Sequence, residues 1–513
     1  MKYPIGIQNF ESLRKDGFLY VDKTRLVYEL ATDSRYYFLG RPRRFGKSLL
    51  ISTFEAYFSG KKELFAGLDI EKLEKDWETY PILHLDLNTR KYDTKEALLA
   101  ELNKNLEAWE TVYGDKFKDR APEERLSHII EFAYKQTGKR VVLLVDEYDK
   151  PLLQTIGNAA LQDEYRNILK AFYSVVKTYD KYIKFGFFTG VTKFGKVSVF
   201  SDLNNLQDIS MDKRYIDVCG ITEEEIHRYF EEPLQELAKA NGMTYDEAAA
   251  KLKEQYDGYH FEYGTEGIYN PFSLLNTFAK QSFKDYWFET GTPTFLVQLL
   301  QERKYVLPDL THEIISDDVL NSIDSASRNP IPLIYQSGYL TIKGYDSRFK
   351  RYRLGFPNNE VETGFLNFLL PYYTPNGDRT EFDISHFVID VESGNAEQFM
   401  RRLQAMLADT DYKIVGDAEL YFQNALYLIF KIMGFYVEVE RATSDRRMDV
   451  LIKTSDYIYI IECKLDKSAD DALRQIEENN YAAPFLMDNR KVYKIGVNFS
   501  SKTRGVEEWR ITK

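Results

Sequence analysis

The chain has 513 residues, 44% of them hydrophobic, and Lys+Arg 68 against Asp+Glu 80 gives a net charge of -12. That length holds roughly two to four domains, each able to bury its own core, while the acidic balance excludes a protein that coats nucleic acid through bulk charge and leaves only a local basic groove. Two cysteines, Cys219 and Cys463, exclude a disulfide framework. The start MKYPIGIQNF lacks the basic-then-apolar layout of a signal peptide, and no uninterrupted apolar run reaches the roughly 18 residues of a membrane span, so a cytoplasmic chain without membrane contact is expected.

YYFLG (36 to 40) reads as a strand, and LLISTFEAYFSG, with helical apolar spacing, reads as a helix stopping at Gly60. Between them lies GRPRRFGKS. In the phosphate-loop pattern GxxxxGK[ST], Gly46, Lys47 and Ser48 fill the last three places, but the first falls on Arg41 because Gly40 comes one residue early. The strand-to-helix context still suits a phosphate, since the first turn of a helix leaves N–H groups unsatisfied and its dipole favours an anion. Lys47 is expected to reach the β and γ phosphates, and the Ser48 hydroxyl to hold Mg²⁺.

PILHLDL (81 to 87), VVLLVDEYD (141 to 149) and IKFGFFTGVT (183 to 192) read as further buried strands separated by helix-length segments, which predicts an α/β domain with a mostly parallel sheet. Asp146 and Glu147 then stand at a strand's carboxyl end, where open α/β sheets bind ligands. Asp146 is expected beside the Mg²⁺ and Glu147 is expected to orient and deprotonate the attacking water. Thr189 and Thr192, at the next strand end, are read either as γ-phosphate sensors or as an ordinary polar turn.

These stretches, with YVDKT (20 to 24), SDLNNLQDIS (201 to 210), YDGYHF (256 to 261) and YNPFSLLN (269 to 276), resemble the AAA-ATPase-like family of bacterial proteins, whose loop is typically written RPRRFGKS. The resemblance covers roughly the first 280 residues and implies a P-loop ATPase binding ATP and Mg²⁺. In it Lys47, Ser48, Asp146 and Glu147 match the functional positions and Arg41 is the usual first residue of the loop, while Arg44, Gly46 and Thr189, like Arg41, are placed beside the nucleotide by the loop and the strand end. Assembly as a homo-oligomer is left open, and no trans-acting arginine is assigned.

Thr222, followed three residues later by Glu225, carries a capping-box signature and opens a helix-rich region expected to form a lid. Residues 331–356 read as a helix end and two strands about the turn DSRFK, a pattern resembling a winged helix, with Arg348, Lys350, Arg351 and Arg353 on the wing. Those cations are read either as a contact for a nucleic-acid backbone or as a solvated turn. TPNGDRTEFD (374 to 383) reads as a linker. The expected division is 1–218 for the ATPase core, 219–373 for the lid and winged helix, 374–410 for a linker and connecting helix, and 411–513 for a second α/β domain.

In that last segment, residues 416–435 read as a helix with an apolar stripe at Phe422, Leu426, Ile429 and Met433, and Glu419 falls on the same stripe. RRMDVLIK (446 to 453) and YIYIIECKL (457 to 465) read as a hairpin. Pairing Lys453 with Ile458 puts Asp449 directly opposite Glu462, and like charges so opposed call for something bound between them. Mg²⁺ fits oxygen ligands and can activate water at a phosphodiester. Alternation puts Lys464 on the same face, either to position a nucleophile or phosphate or simply as a structural salt bridge. Cys463 turns the other way, toward packing.

Glu419, Asp449, Glu462-Cys463-Lys464, Gln475 and Tyr481 look like the elements of the PD-(D/E)XK nuclease superfamily, although Arg446-Arg447-Met448-Asp449 lacks the usual glycine. The resemblance implies a restriction-endonuclease-like fold, with Asp449 and Glu462 as metal ligands, Lys464 as the catalytic lysine, Glu419 as a helix carboxylate and Gln475 in support. The leading expectation is an ATPase coupled to a Mg²⁺-dependent nuclease acting on DNA or RNA. Two others stand beside it: a signalling ATPase whose nuclease-derived domain binds nucleic acid or a partner without cutting, and a nuclease whose nucleotide is a structural switch.

Overall fold

The computed structural model describes residues 1–193, 199–201, 203, 205–288, 294–311, 313–321, 329–373, 384–408, 418–434, 436–444, 447–503 and 505–513. It divides into two compact units, Met1–Gly291 with Thr311–Val361, and Thr292–Leu310 with Glu362–Lys513.

The first unit is built on five parallel strands, β1 (Tyr36–Gly40), β2 (Ile82–Asp86), β3 (Val141–Asp146), β4 (Ile183–Gly190) and β5 (Gln207–Asp208), in the order β2-β3-β4-β1-β5. Every residue of β3 is buried, as a parallel sheet covered on both faces requires, and each buried Val or Leu contributes about 1.5–3 kcal/mol. The crossovers are helices, among them Lys47–Phe58, Lys95–Tyr113, Pro122–Thr137 and Ala159–Thr178. Arg125 and Glu110 join two of them through a buried double hydrogen bond, both at 2.7 Å.

Helices Glu223–Tyr229, Glu231–Ala240, Tyr245–Tyr256 and Pro271–Lys280 follow. The Thr222 cap is reciprocal: Glu225 N donates to Thr222 Oγ1 at 3.2 Å and Thr222 N donates to Glu225 Oε2 at 2.9 Å. The same glutamate accepts from Lys23 Nζ, which ties the start of this helical layer to the N-terminal segment.

A second, three-stranded antiparallel sheet closes the unit. Its strands β6 (Ile314–Ser316), β7 (Thr341–Asp346) and β8 (Arg351–Gly355) lie in the order β6-β8-β7, and the helices Asp317–Asn321 and Ile331–Gln336 come between β6 and β7. The helix and hairpin read from the sequence are present. The short β6 went unread because three residues carry no period.

The second unit holds a mixed sheet of β9 (Glu438–Ser444), β10 (Arg447–Lys453), β11 (Tyr457–Leu465), β12 (Lys491–Ser500) and β13 (Gly505–Thr512), in the order β13-β12-β11-β10-β9. Only the β11–β12 pair is parallel, and the helix Ala469–Glu478 makes its crossover. The helix Ala418–Met433 buries Phe422, Leu426, Ile429 and Met433, and Phe422 packs on Phe499 of β12 with ring centroids 5.1 Å apart. Helices Ile384–Glu392 and Ala396–Leu407 fall where a connecting segment was expected. They instead join this sheet: Tyr459 donates to the Val391 carbonyl at 2.7 Å, and Gln404 Nε2 to that of Val506 at 2.9 Å. The expected linker 374–383 lies outside the described residues. No described helix is long and apolar enough to cross a membrane.

Candidate nucleotide and nuclease sites

The loop between β1 and the helix Lys47–Phe58 turns through two left-handed residues, Arg44 (φ 70°) and Gly46 (φ 98°). Glycine adopts that region without a Cβ penalty, while arginine is strained in it. The turn aims the N-terminus of the helix into a cleft of about 560 Å³, lined among others by Arg43, Arg44, Gly46, Lys47, Ser48 and Glu147. Lys47 is buried, its ammonium donating to the carbonyls of Arg41 (3.1 Å) and Pro42 (3.2 Å) and lying 3.2 Å from Glu147 Oε1. Burial alone would push its pKa down, but the charges of Glu147 and Asp146 outweigh it and hold it above the ordinary lysine value.

Glu147 reaches that lysine through a left-handed backbone of its own, φ 53°, a conformation costing about 1–3 kcal/mol. What holds it is the end of β4. Tyr148 N donates to the Thr189 carbonyl at 2.9 Å, Glu147 N to Thr189 Oγ1 at 3.4 Å, and the Thr189 hydroxyl to Asp146 Oδ1. Lys47, Asp146, Glu147 and Thr189 thus form one connected cluster.

Asp149 was not singled out in the sequence, although it is the last acid of DEYD. It is fully buried and accepts from Val191 N (3.2 Å), Thr192 N (2.6 Å) and Thr192 Oγ1 (2.7 Å). Burial first, and then the charge of Glu147, raises its pKa to about 7. Gly190 makes this possible, since a Cβ there would lie 2.6 Å from Asp149 Oδ1.

Arg41 departs from the expectation. Its buried guanidinium donates to the carbonyls of Gly40 (3.0 Å), Ser210 (2.7 Å), Tyr215 (3.2 Å) and Ile216 (3.3 Å) and stacks on Phe261 at 3.9 Å. Enclosed in this way, with its pKa lowered by burial to about 10, it clamps the loop to residues 210–216 and does not line the cleft. Arg44 does line it, held over the Phe272 ring at 4.7 Å.

In the second unit the register of β10 on β11 is the one read from the sequence, Lys453 with Ile458 and Asp449 with Glu462. The side chains of Glu419 and Asp449 lie outside the described residues. Glu462 is fully buried, and its Oε1 accepts from Lys464 Nζ at 2.5 Å. Lys464 Nζ also donates to Gln475 Oε1 from the crossover helix. The helix comes this close because Gly496, the β12 partner of Glu462, has no side chain: a Cβ there would sit 2.2 Å from the Ala469 carbonyl. Among the described residues, Glu462 Oε2 and Gln475 Nε2 are buried polar atoms with no hydrogen-bond partner. A buried carboxylate oxygen left in that state is costly unless a cation or donor meets it, so the donor set fits a hard divalent cation. Cys463 is half-buried on the opposite face of β11.

The fold and these two clusters define a P-loop ATPase domain on one chain with a restriction-endonuclease-like domain. Residues 4–200 match the family described as "Predicted AAA-ATPase", and residues 417–509 match the PD-(D/E)XK nuclease superfamily. Over 520 residues, covering 98% of both chains, the protein is 35% identical to the "Uncharacterized protein in vnfD 5'region" of Azotobacter chroococcum mcd 1. The chain belongs to this AAA-ATPase-like family, with a C-terminal domain of the PD-(D/E)XK superfamily.

Proposed function

We propose that the protein binds and hydrolyses ATP in its first unit and cleaves nucleic-acid phosphodiesters, with Mg²⁺, in its second. The observation that carries the nuclease half is the buried, unpartnered Glu462 Oε2 beside Lys464. The ATPase half is supported by the Lys47–Glu147–Asp146–Thr189 cluster at a helix N-terminus facing the cleft.

For ATP, Lys47 exchanges its carbonyl partners on Arg41 and Pro42 for phosphate oxygens, and Arg44 adds a second positive charge. Glu147, released from the Lys47 ion pair by that exchange, takes the proton of the attacking water. Thr189 keeps Asp146 oriented from behind. Ser48 and Asp146 would hold Mg²⁺ in this site, and Asp449 and Glu462 would hold it in the other. When bound, the ion neutralises phosphate charge and lowers the pKa of a coordinated water. Lys464 then stabilises the negative charge that builds on the phosphodiester, and Gln475 fixes the direction of the Lys464 ammonium. Glu419 and Asp449 enter by their place in the motif and the register.

The test compares wild type with Lys47→Ala, Glu147→Gln, Asp449→Ala and Lys464→Ala. ATP hydrolysis and Mg²⁺-dependent cleavage of single- and double-stranded DNA and RNA are measured on each. The first two variants lose hydrolysis and the last two lose cleavage. Wild type that cuts no substrate with ATP present rejects the nuclease half, and an Asp449→Ala protein that cuts normally rejects the site assignment.

A further inference from the structure

The β7–β8 hairpin carries a charge excess that nothing in the fold explains. Arg348, Lys350, Arg351 and Arg353 are all exposed, and none of the four forms an ion pair among the described residues, in a chain whose net charge is -12. Arg351 and Arg353 alternate on the outer face of the three-stranded sheet, while Tyr352 and Leu354 between them turn to the core. Gly344 pairs with Arg353 and has no side chain, so the Arg353 guanidinium lies across it and donates to the Lys343 carbonyl at 3.4 Å. At the tip, Asp346 accepts from Arg348 N and Phe349 N, and Lys350 is held at φ 51°. This turn presents Phe349, 59% exposed with the Arg348 guanidinium over its ring at 5.0 Å.

A solvated turn needs neither an outward phenylalanine nor four cations without a carboxylate partner among the described residues. The helix just before the hairpin cannot take the groove-reading part that such a helix plays in many DNA-binding folds. Ile331–Gln336 is almost wholly buried, Gln336 accepts from Lys193 N at 2.5 Å, and Gly338 packs on Pro42 of the phosphate loop. Only the hairpin remains to meet a ligand from this element.

We infer that the β7–β8 hairpin is a binding surface for single-stranded nucleic acid, with Arg351, Arg353, Arg348 and Lys350 along the phosphates and Phe349 stacked on an unpaired base. The chemistry is that of sequence-tolerant strand binders, which join a cationic track to an aromatic platform. The inference rests on the proposed action of the protein on nucleic acid, and supplies a local cationic surface on a chain of net charge -12.

The test uses the full chain in EDTA, so that binding is read without metal, with a fluorescein-labelled single-stranded DNA oligonucleotide followed by anisotropy over a range of salt. The double variant Arg351→Glu/Arg353→Glu weakens binding by at least about tenfold and flattens the salt slope by about 1.4, two phosphate contacts' worth for a single strand. Phe349→Ala weakens it by about tenfold at every salt concentration. Arg351→Lys/Arg353→Lys keeps the binding, and Lys170→Glu/Lys177→Glu, the same charge change on an exposed helix face, leaves it unaltered. Equal losses from the two charge-reversed doubles would overturn the inference, as would binding of polyglutamate or anionic lipid vesicles in preference to the oligonucleotide. Cleavage in Mg²⁺ separates the two readings. Hairpin variants that cut with unchanged KM reject this surface and leave the nuclease standing, whereas a strand bound through the hairpin and never cut rejects the nuclease and leaves the surface.

Discussion

Two lysines, Lys47 and Lys464, sit in similar pairings: each is buried, and each has its ammonium against a glutamate, at 3.2 Å from Glu147 and 2.5 Å from Glu462. Their surroundings are opposite in sign. Around Lys47 stand Arg43, Arg44 and a helix N-terminus, and the glutamate is partly open to the cleft. Around Lys464 the glutamate is sealed from solvent, with one oxygen unpartnered and Asp449 as its neighbour in register. The first pair is short of an anion and the second short of a cation, so the same two side chains are set for a phosphate in one place and a metal in the other.

The sharpest test of the ATPase side is Glu147→Gln. ATP turnover, read as phosphate release, falls by about 10²–10⁴-fold, while binding of a fluorescent ATP analogue is retained. On the nuclease side, Lys464→Met strands the Glu462 carboxylate without its cation, and urea unfolding in EDTA shows a loss of about 3–5 kcal/mol. Adding Glu462→Gln recovers most of it. The equivalent Lys47→Met costs less, because Glu147 keeps access to water in the cleft. A comparable loss at both lysines would erase the contrast.

Mg²⁺ at about 100 times its Kd raises stability by about 2.7 kcal/mol, as read by calorimetry in the absence of nucleotide. Asp449→Ala removes that gain. Asp149 gives the most gradual effect, a slope of up to about 1.4 kcal/mol per pH unit. Its pKa is raised from 3.8 to about 7, so the folded chain keeps this proton through a window in which the unfolded chain has lost it. Stability therefore falls as pH rises from 3.8 to about 7, and is level with respect to this group above that. Denaturant midpoints of wild type and Asp149→Asn across the window show the slope in the first and its disappearance in the second.

Much of this was legible because the chemistry is carried by short, regular stretches. VVLLVD is a wholly buried strand whose apolar run stops at Asp146, with Glu147 just past its end, and the β10–β11 register follows from one turn and strict alternation. The capping box at Thr222 is a local hydrogen-bond pattern and was read from the sequence for that reason. What escaped depends on distant partners. Arg41 looked like a phosphate ligand because its neighbours in sequence are, but the carbonyls of Ser210, Tyr215 and Ile216 capture it from about 170 residues away. Asp149 needed Gly190 and Thr192 to be recognised, and no spacing rule links them.

The division into units has a consequence for how the chain can be cut. The polypeptide passes from one unit to the other at residues 291, 310 and 361, so Thr311–Val361, with its cationic hairpin, is an excursion bracketed by segments of the second unit. No single cut therefore parts the chain into two whole units: a break after residue 291 takes Thr311–Val361 from the first, and a break after residue 361 takes Thr292–Leu310 from the second. A fragment beginning near residue 411 contains β9 to β13 but abandons Thr292–Leu310 and the helices Ile384–Glu392 and Ala396–Leu407. The converse deletion, Thr311–Val361 replaced by a short linker, leaves the second unit's chain continuous. The two units are thus sewn together by the backbone, and one break in the gene cannot part them and leave both whole.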